Sequence, residues 1–177
     1  ATLFLTLLSG CNKSAEVGTS PPNITVGNQI DDIVISSKVS TAFLASADVK
    51  SYDIKVEVRK GEVMLSGFVD TQTQIDHSIA LARAVDGVKK IDNKLMLKAT
   101  PSSVGVQIDD TVLTTRVKSA LLADATIKSF DISVVSNKGD VQLSGFVNNQ
   151  MQIEHATDVA SKVEGAQSVI NKLSLKK

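Results

Sequence analysis

One thiol, two imidazoles and two acidic pairs are the side chains here with the plainest chemical potential: Cys11, His77 and His155, and Asp31-Asp32 with Asp109-Asp110. A thiolate attacks or ligates, an imidazole moves protons near neutral pH, and adjacent carboxylates hold cations or divide acid and base roles. Their spacing supports none of these uses. Each His follows an apolar Ile (Ile75, Ile153) by two residues, about 200° round a helix, and so faces solvent. Neither belongs to an HxxxH pattern or a Cys/His cluster, which is what metal ligation needs. The acidic pairs sit where helices begin, where a carboxylate caps free amides and meets the helix dipole. Gly61, Gly67, Gly139 and Gly145 form no phosphate-cradling GxGxxG or GxxxxGK run. The sequence therefore reads as a non-enzyme, with no catalytic residue, metal or cofactor. Nineteen basic and nineteen acidic side chains cancel, so no overall field draws it to nucleic acid.

Cys11 closes an apolar run, "ATLFLTLLSGC", with small Ser9 and Gly10 just before it. Export signals end this way, and the run is too short to span a bilayer comfortably. No Lys or Arg precedes the cysteine, so residues 1–10 are expected to be a signal peptide that lacks its charged start. A single Cys leaves no internal disulfide. "LSGC" resembles the lipobox of bacterial lipoproteins, which implies cleavage before Cys11, acylation of its thiol and anchoring in a membrane; Asn12 in place of Asp implies the outer one. Residues 11–29, rich in Ser, Thr, Gly, Pro and Asn with Pro21-Pro22, have no helical or strand period and are expected to be an extended tether.

The rest is a duplication. Ser144 and Ser66, Gly139 and Gly61, Asp131 and Asp53, and Asp109 and Asp31 each differ by 78 positions. No gap is needed. Two units, 30–98 and 108–177, are expected to be separate small domains joined by a linker at 99–107, each near the lower size limit for folding alone.

Within a unit, Ile35, Val39, Ala42 and Phe43, or Leu113, Val117, Ala120 and Leu121, repeat at helical spacing after the acidic pair. Alternation through Ile54, Val56 and Val58, a turn at Lys60-Gly61, and alternation through Val63, Leu65, Gly67 and Val69 make a β-hairpin. Thr71 with Gln74, and Asn149 with Gln152, carry the reciprocal capping signature of a second helix, which Gly87 and Gly165 end. Leu95 and Leu97, or Leu173 and Leu175, belong to a last strand. The order αββαβ predicts an α+β fold: a three-stranded mixed sheet in each unit, its last strand parallel to its neighbour, with both helices on one face.

The two units, with "VQLSGFV" and "VEGA" before "NKL" as their clearest marks, resemble BON domains of the bacterial envelope. With the lipobox, the whole is similar to the double-BON outer-membrane lipoproteins. The resemblance implies the same αββαβ fold, a place in the periplasm at the outer membrane, and a role in envelope integrity under osmotic or membrane stress. It also implies binding of phospholipid or, alternatively, chaperone-like binding of outer-membrane or secreted client proteins. By position, the helix from Asp110 to Ala123 corresponds to the lipid-contacting one, with Arg116 and Lys118 as its cations. Period two turns Phe68 to the sheet face the helices leave open, beside Met64 and Met96, and Phe146 likewise in the second unit. Three fates are open to each Phe: curling over the edge into its own core, contact with the other domain, or service as a surface for a peptide or lipid. Gly67 is expected to let a helix come close.

Overall fold

The computed structural model describes residues 26–49, 53–98, 109–127 and 131–177. Cys11 and the expected linker lie outside the described residues, as does most of the expected tether. Ten elements follow in chain order: α1 (Val26–Ala45), β1 (Ile54–Arg59), β2 (Glu62–Val69), α2 (Gln72–Arg83), β3 (Lys90–Leu97), α3 (Asp110–Ala123), β4 (Ile132–Asn137), β5 (Asp140–Val147), α4 (Gln150–Ser161) and β6 (Ser168–Leu175). The expected αββαβ order thus occurs twice, and each sheet is mixed. β2 lies at the centre, antiparallel to β1 and parallel to β3, and β5 holds the same place between β4 and β6.

Each domain has its own core between its helices and one sheet face. Ile35, Val39 and Phe43 of α1 and Ile75 and Ala82 of α2 pack on Ile54, Val63, Leu65, Val69 and Leu95. The second core repeats this with Leu113, Val117, Leu121, Ala156 and Ala160 on Ile132, Val134, Val141, Leu143 and Val147. The inward residues of β2 and β5 alternate, as the pleat requires.

The hairpins turn on two residues, Lys60-Gly61 and Lys138-Gly139, all four with positive φ. Such turns match the twist of the strands they join, which suits Gly at the second place. Thr71 and Asn149 cap α2 and α4 as expected: each side chain accepts from an amide three residues on, at Gln74 and Gln152, whose own side chains accept from the chain before the helix.

The acidic pair behaves differently in the two copies. Asp109 caps α3, accepting from the Thr111 amide at 2.8 Å. α1 instead starts at Val26, so residues 26–29 are helical rather than tether and neither Asp31 nor Asp32 stands at a helix end. Asp32 takes another role: its carboxylate accepts from the turn amides of Lys60 (2.7 Å) and Gly61 (2.9 Å). Asp110 does the same for Lys138 (2.9 Å) and Gly139 (3.4 Å). The second Asp of each pair thus pins the hairpin to the first helix.

Candidate functional site

The sheet faces turned away from the helices are where Phe68 and Phe146 point, and both are buried, at 3% and 8% exposure, though neither belongs to its own domain's core. The two open faces cover each other. Ser66 Oγ and Ser144 Oγ, equivalent atoms of the two units, meet at 2.6 Å. The backbone N–H of Gly67 donates to Gln142 Oε1 at 2.6 Å; reciprocally, the N–H of Gly145 donates to the sulfur of Met64 at 3.3 Å. Met64 and Gln142 are themselves equivalent, since 64 plus 78 is 142. The contact is therefore built round a pseudo-two-fold axis through the serine pair, as in an isologous dimer whose halves differ slightly.

Gln142 is the most demanding residue of this interface. It is fully buried, and its Nε2 also donates to the Lys94 carbonyl at 2.7 Å, so one side chain ties the central strand of one domain to two strands of the other. A buried amide is tolerable only with its bonds made. Gly67 and Gly145 owe their identity to this corner. At φ 125° and 126°, a Cβ would lie 1.9 Å from the Asp53 carbonyl oxygen and 2.0 Å from that of Asp131. The expectation that Gly67 clears a helix is corrected: it clears the backbone at the start of β1.

Beside the axis, Ser133 of β4 donates to the Glu57 carboxylate of β1. Burial raises the Glu57 pKa above its usual 4.5; the Ser133 bond pulls it back, Asp131 adds to the rise, and Lys55 and Lys118 oppose it. Two clefts flank the contact and are related by the same axis. One, of 380 Å3, runs between Glu57, Arg59 and Phe146; the other, of 480 Å3, between Lys55, Lys118 and Val135. Each holds a buried polar atom without a partner, Arg59 Nε and Asn137 Oδ1, again 78 positions apart.

Met64, Phe68 and Phe146 come together at this interface, with Met96 beside Phe68 on the neighbouring strand and half-buried. Of the fates open to each Phe, it is contact between the domains that the structure shows, and these residues do not form an open surface. Arg116 stands apart from them on the exposed side of α3, 3.5 Å from Glu164, whereas Lys118, also exposed, lines the cleft beside the contact with Lys55. Ser66, Ser144, Gln142, Glu57 and Ser133 were not legible as a joint. Small or polar residues at face positions that no helix covers were the available signal.

His155 reaches Asp124 at 2.8 Å, in a 520 Å3 surface groove lined also by Met151, Asn149 and Thr126. Thr126 bonds the same carboxylate with its hydroxyl at 2.6 Å and its amide at 2.9 Å, and these, ahead of His155, lower the Asp124 pKa to about 2. The hydroxyl is thus held by the acid and not by the imidazole, which is not how a nucleophile is activated. His77 lies 3.5 Å from Asp48. Among the described residues no three His, Cys, Asp or Glu side chains are grouped to hold a metal ion, and no helix is long and apolar enough to cross a membrane.

Comparison with known proteins agrees with the duplication. The chain is 37% identical over 166 residues to osmotically-inducible protein Y of Escherichia coli (strain K12), covering 93% of this chain and 83% of that protein. It is 36% identical over 177 residues to outer membrane lipoprotein DolP of Haemophilus influenzae, covering 96% and 89%. A 21 kDa hemolysin of Actinobacillus pleuropneumoniae is 32% identical over 149 residues, covering 82% and 75%. The BON domain family matches residues 31–99 and again 109–177, so the chain belongs to the BON-domain family and carries two copies in tandem.

Proposed function

We propose that this is a non-enzymatic envelope protein of the periplasm, anchored to the outer membrane through acylated Cys11, that supports osmotic and membrane-stress tolerance by binding phospholipid. The observation that carries it is similarity over more than nine-tenths of the chain to relatives named as an osmotically-inducible protein and an outer membrane lipoprotein, joined to the "LSGC" stretch. The surface that fits a bilayer best is the outer side of α3. Its core stripe is Leu113, Val117 and Leu121, and the opposite arc carries Val112 and Leu122, both exposed, between Arg116 and Lys118. Apolar tips among cations suit a headgroup region.

The alternative, a holder of unfolded client proteins using the open sheet faces, has less behind it. Met64, Phe68 and Phe146 are covered by the partner domain, so client binding there requires the domains to separate first. Fractionation of a Cys11→Ala variant tests the anchor: it is released to the soluble periplasm, whereas unchanged membrane association with no lipid label on the parent refutes anchoring. Pelleting of the unacylated protein with anionic vesicles tests the ligand. Salt-sensitive binding lost in the Arg116→Glu, Lys118→Glu variant supports phospholipid; binding only to unfolded protein, lost in Phe68→Ser, supports the client reading.

A further inference from the structure

The pseudo-two-fold axis has a corollary for domain 1 alone. Across an isologous contact, every residue of one half meets the counterpart of the residue that meets its own counterpart. Glu57 meets Ser133, and the domain 1 counterpart of Ser133 is Lys55, since 133 minus 78 is 55. If a second domain 1 takes the place of domain 2, Glu57 of each copy meets Lys55 of the other, twice over. Ser66 meets Ser66 on the axis, and Met64 offers its sulfur to the Gly67 amide just as it does to Gly145. Phe146 lines clefts beside Arg59 of domain 1, so its equivalent, Phe68 of each copy, comes beside Arg59 of the other.

In the closed chain that complementarity is used only at a distance, Lys55 and Lys118 acting on Glu57 without bonding it and Lys55 sharing its cleft with Asp53 and Asp110. Lys55 shares its cleft with Val135, the residue equivalent to Glu57, and Glu57 is served by a neutral hydroxyl. One bond is forgone on exchange, because Met64 cannot donate to the Lys94 carbonyl as Gln142 does. Domain 2 lacks the same capacity: in a pair of second domains Ser133 meets Val135 on both sides, and no charge is matched.

We infer that the open sheet face of domain 1 is a self-association surface, on which two copies of this chain pair domain 1 to domain 1 through reciprocal Glu57–Lys55 contacts when their own domains part. Closure within one chain enjoys an effective concentration on the order of millimolar, so a dilute chain is monomeric and the paired form appears as the chains are concentrated. Two such ion pairs favour domain 1 pairing over domain 2 pairing by about tenfold.

The test uses the full chain with Cys11→Ser. Ser66→Cys places the new thiol on the axis, and mild oxidation at millimolar concentration is expected to give a disulfide-linked dimer, about tenfold more than Ser144→Cys gives. Adding Lys55→Glu to the Ser66→Cys chain sets Glu against Glu57 and lowers its dimer to the Ser144→Cys level; adding Glu57→Lys as well restores it. Equal yields from the two cysteine variants, or a Ser66→Cys dimer indifferent to Lys55→Glu, overturn the inference. Sedimentation equilibrium of the cysteine-free chain, read over the same concentrations, needs no thiol: dimerisation weakened about tenfold by Lys55→Glu supports the pairing, and a strict monomer refutes it.

Discussion

Replacing Gln142 with Ala isolates the energy of domain docking from that of domain folding. The side chain is fully buried but belongs to neither core. Its removal strands the Gly67 N–H and the Lys94 carbonyl, which it holds at 2.6 and 2.7 Å. A buried group left without its partner costs about 1–3 kcal/mol. Lys94 lies on an edge strand, where water can replace part of the loss, so the expected penalty is about 3 kcal/mol, or roughly a hundredfold in the docking equilibrium. Amide exchange reads this residue by residue: Gly67 is expected to exchange about a hundredfold faster, while Leu65 and Leu143, inside the separate cores, keep their rates. Gln142→Met, which copies domain 1, restores an acceptor for Gly67 as Met64 provides for Gly145 and should fall between the two. An unchanged Gly67 rate, or acceleration of Leu143 in step with Gly67, refutes the reasoning, since the first denies the contact and the second makes Gln142 a folding residue of domain 2.

Gly67→Ala and Gly145→Ala must each force a Cβ against a carbonyl oxygen about 2 Å away at a left-handed φ, and each is expected to cost about 3 kcal/mol or more in urea unfolding. Glu57 gives a pH signature: its folded pKa is raised, so its favourable contribution is present below the unfolded value near 4.5 and is lost as pH rises through the folded pKa. Glu57→Gln, which can still accept from Ser133, should therefore be more stable than the parent at pH 7 and equal to it below about pH 4, by thermal unfolding across pH; a gap that widens in acid contradicts this. Asp32→Ala removes the acceptor for two turn amides and is expected to cost about 1–2 kcal/mol, against less for Asp110→Ala, whose bond to Gly139 is long at 3.4 Å.

Much of the fold can be read in the chain because its signals are local. Alternation through Val63, Leu65 and Val69 turns those residues to the helices and Phe68 away, and the capping residues Thr71 and Asn149 work within four positions of themselves. What covers Phe68 is not local. It depends on two faces fitting about an axis, so Met64 against Gly145 and Gln142 against Gly67 are unrelated in sequence until the 78-residue offset is set on a pair of docked sheets. Gly67 shows the same limit: a glycine in a strand announces a close approach, but whether a helix or the Asp53 carbonyl comes near is settled by a backbone angle. The acidic pairs mislead for a different reason. A carboxylate near a helix start suits capping and hairpin pinning equally, and in domain 1 the helix runs upstream past both residues, leaving Asp32 to the turn.

The two BON domains bury their open sheet faces against each other. The most direct measurement is a nuclear Overhauser contact between the Met64 methyl group and the Gly145 amide, in protein labelled at Met methyls and backbone nitrogens. The docked arrangement predicts that contact, together with one between the Gln142 side-chain amide and Lys94. Their absence, with the Phe68 ring accessible to a soluble paramagnetic probe, contradicts it.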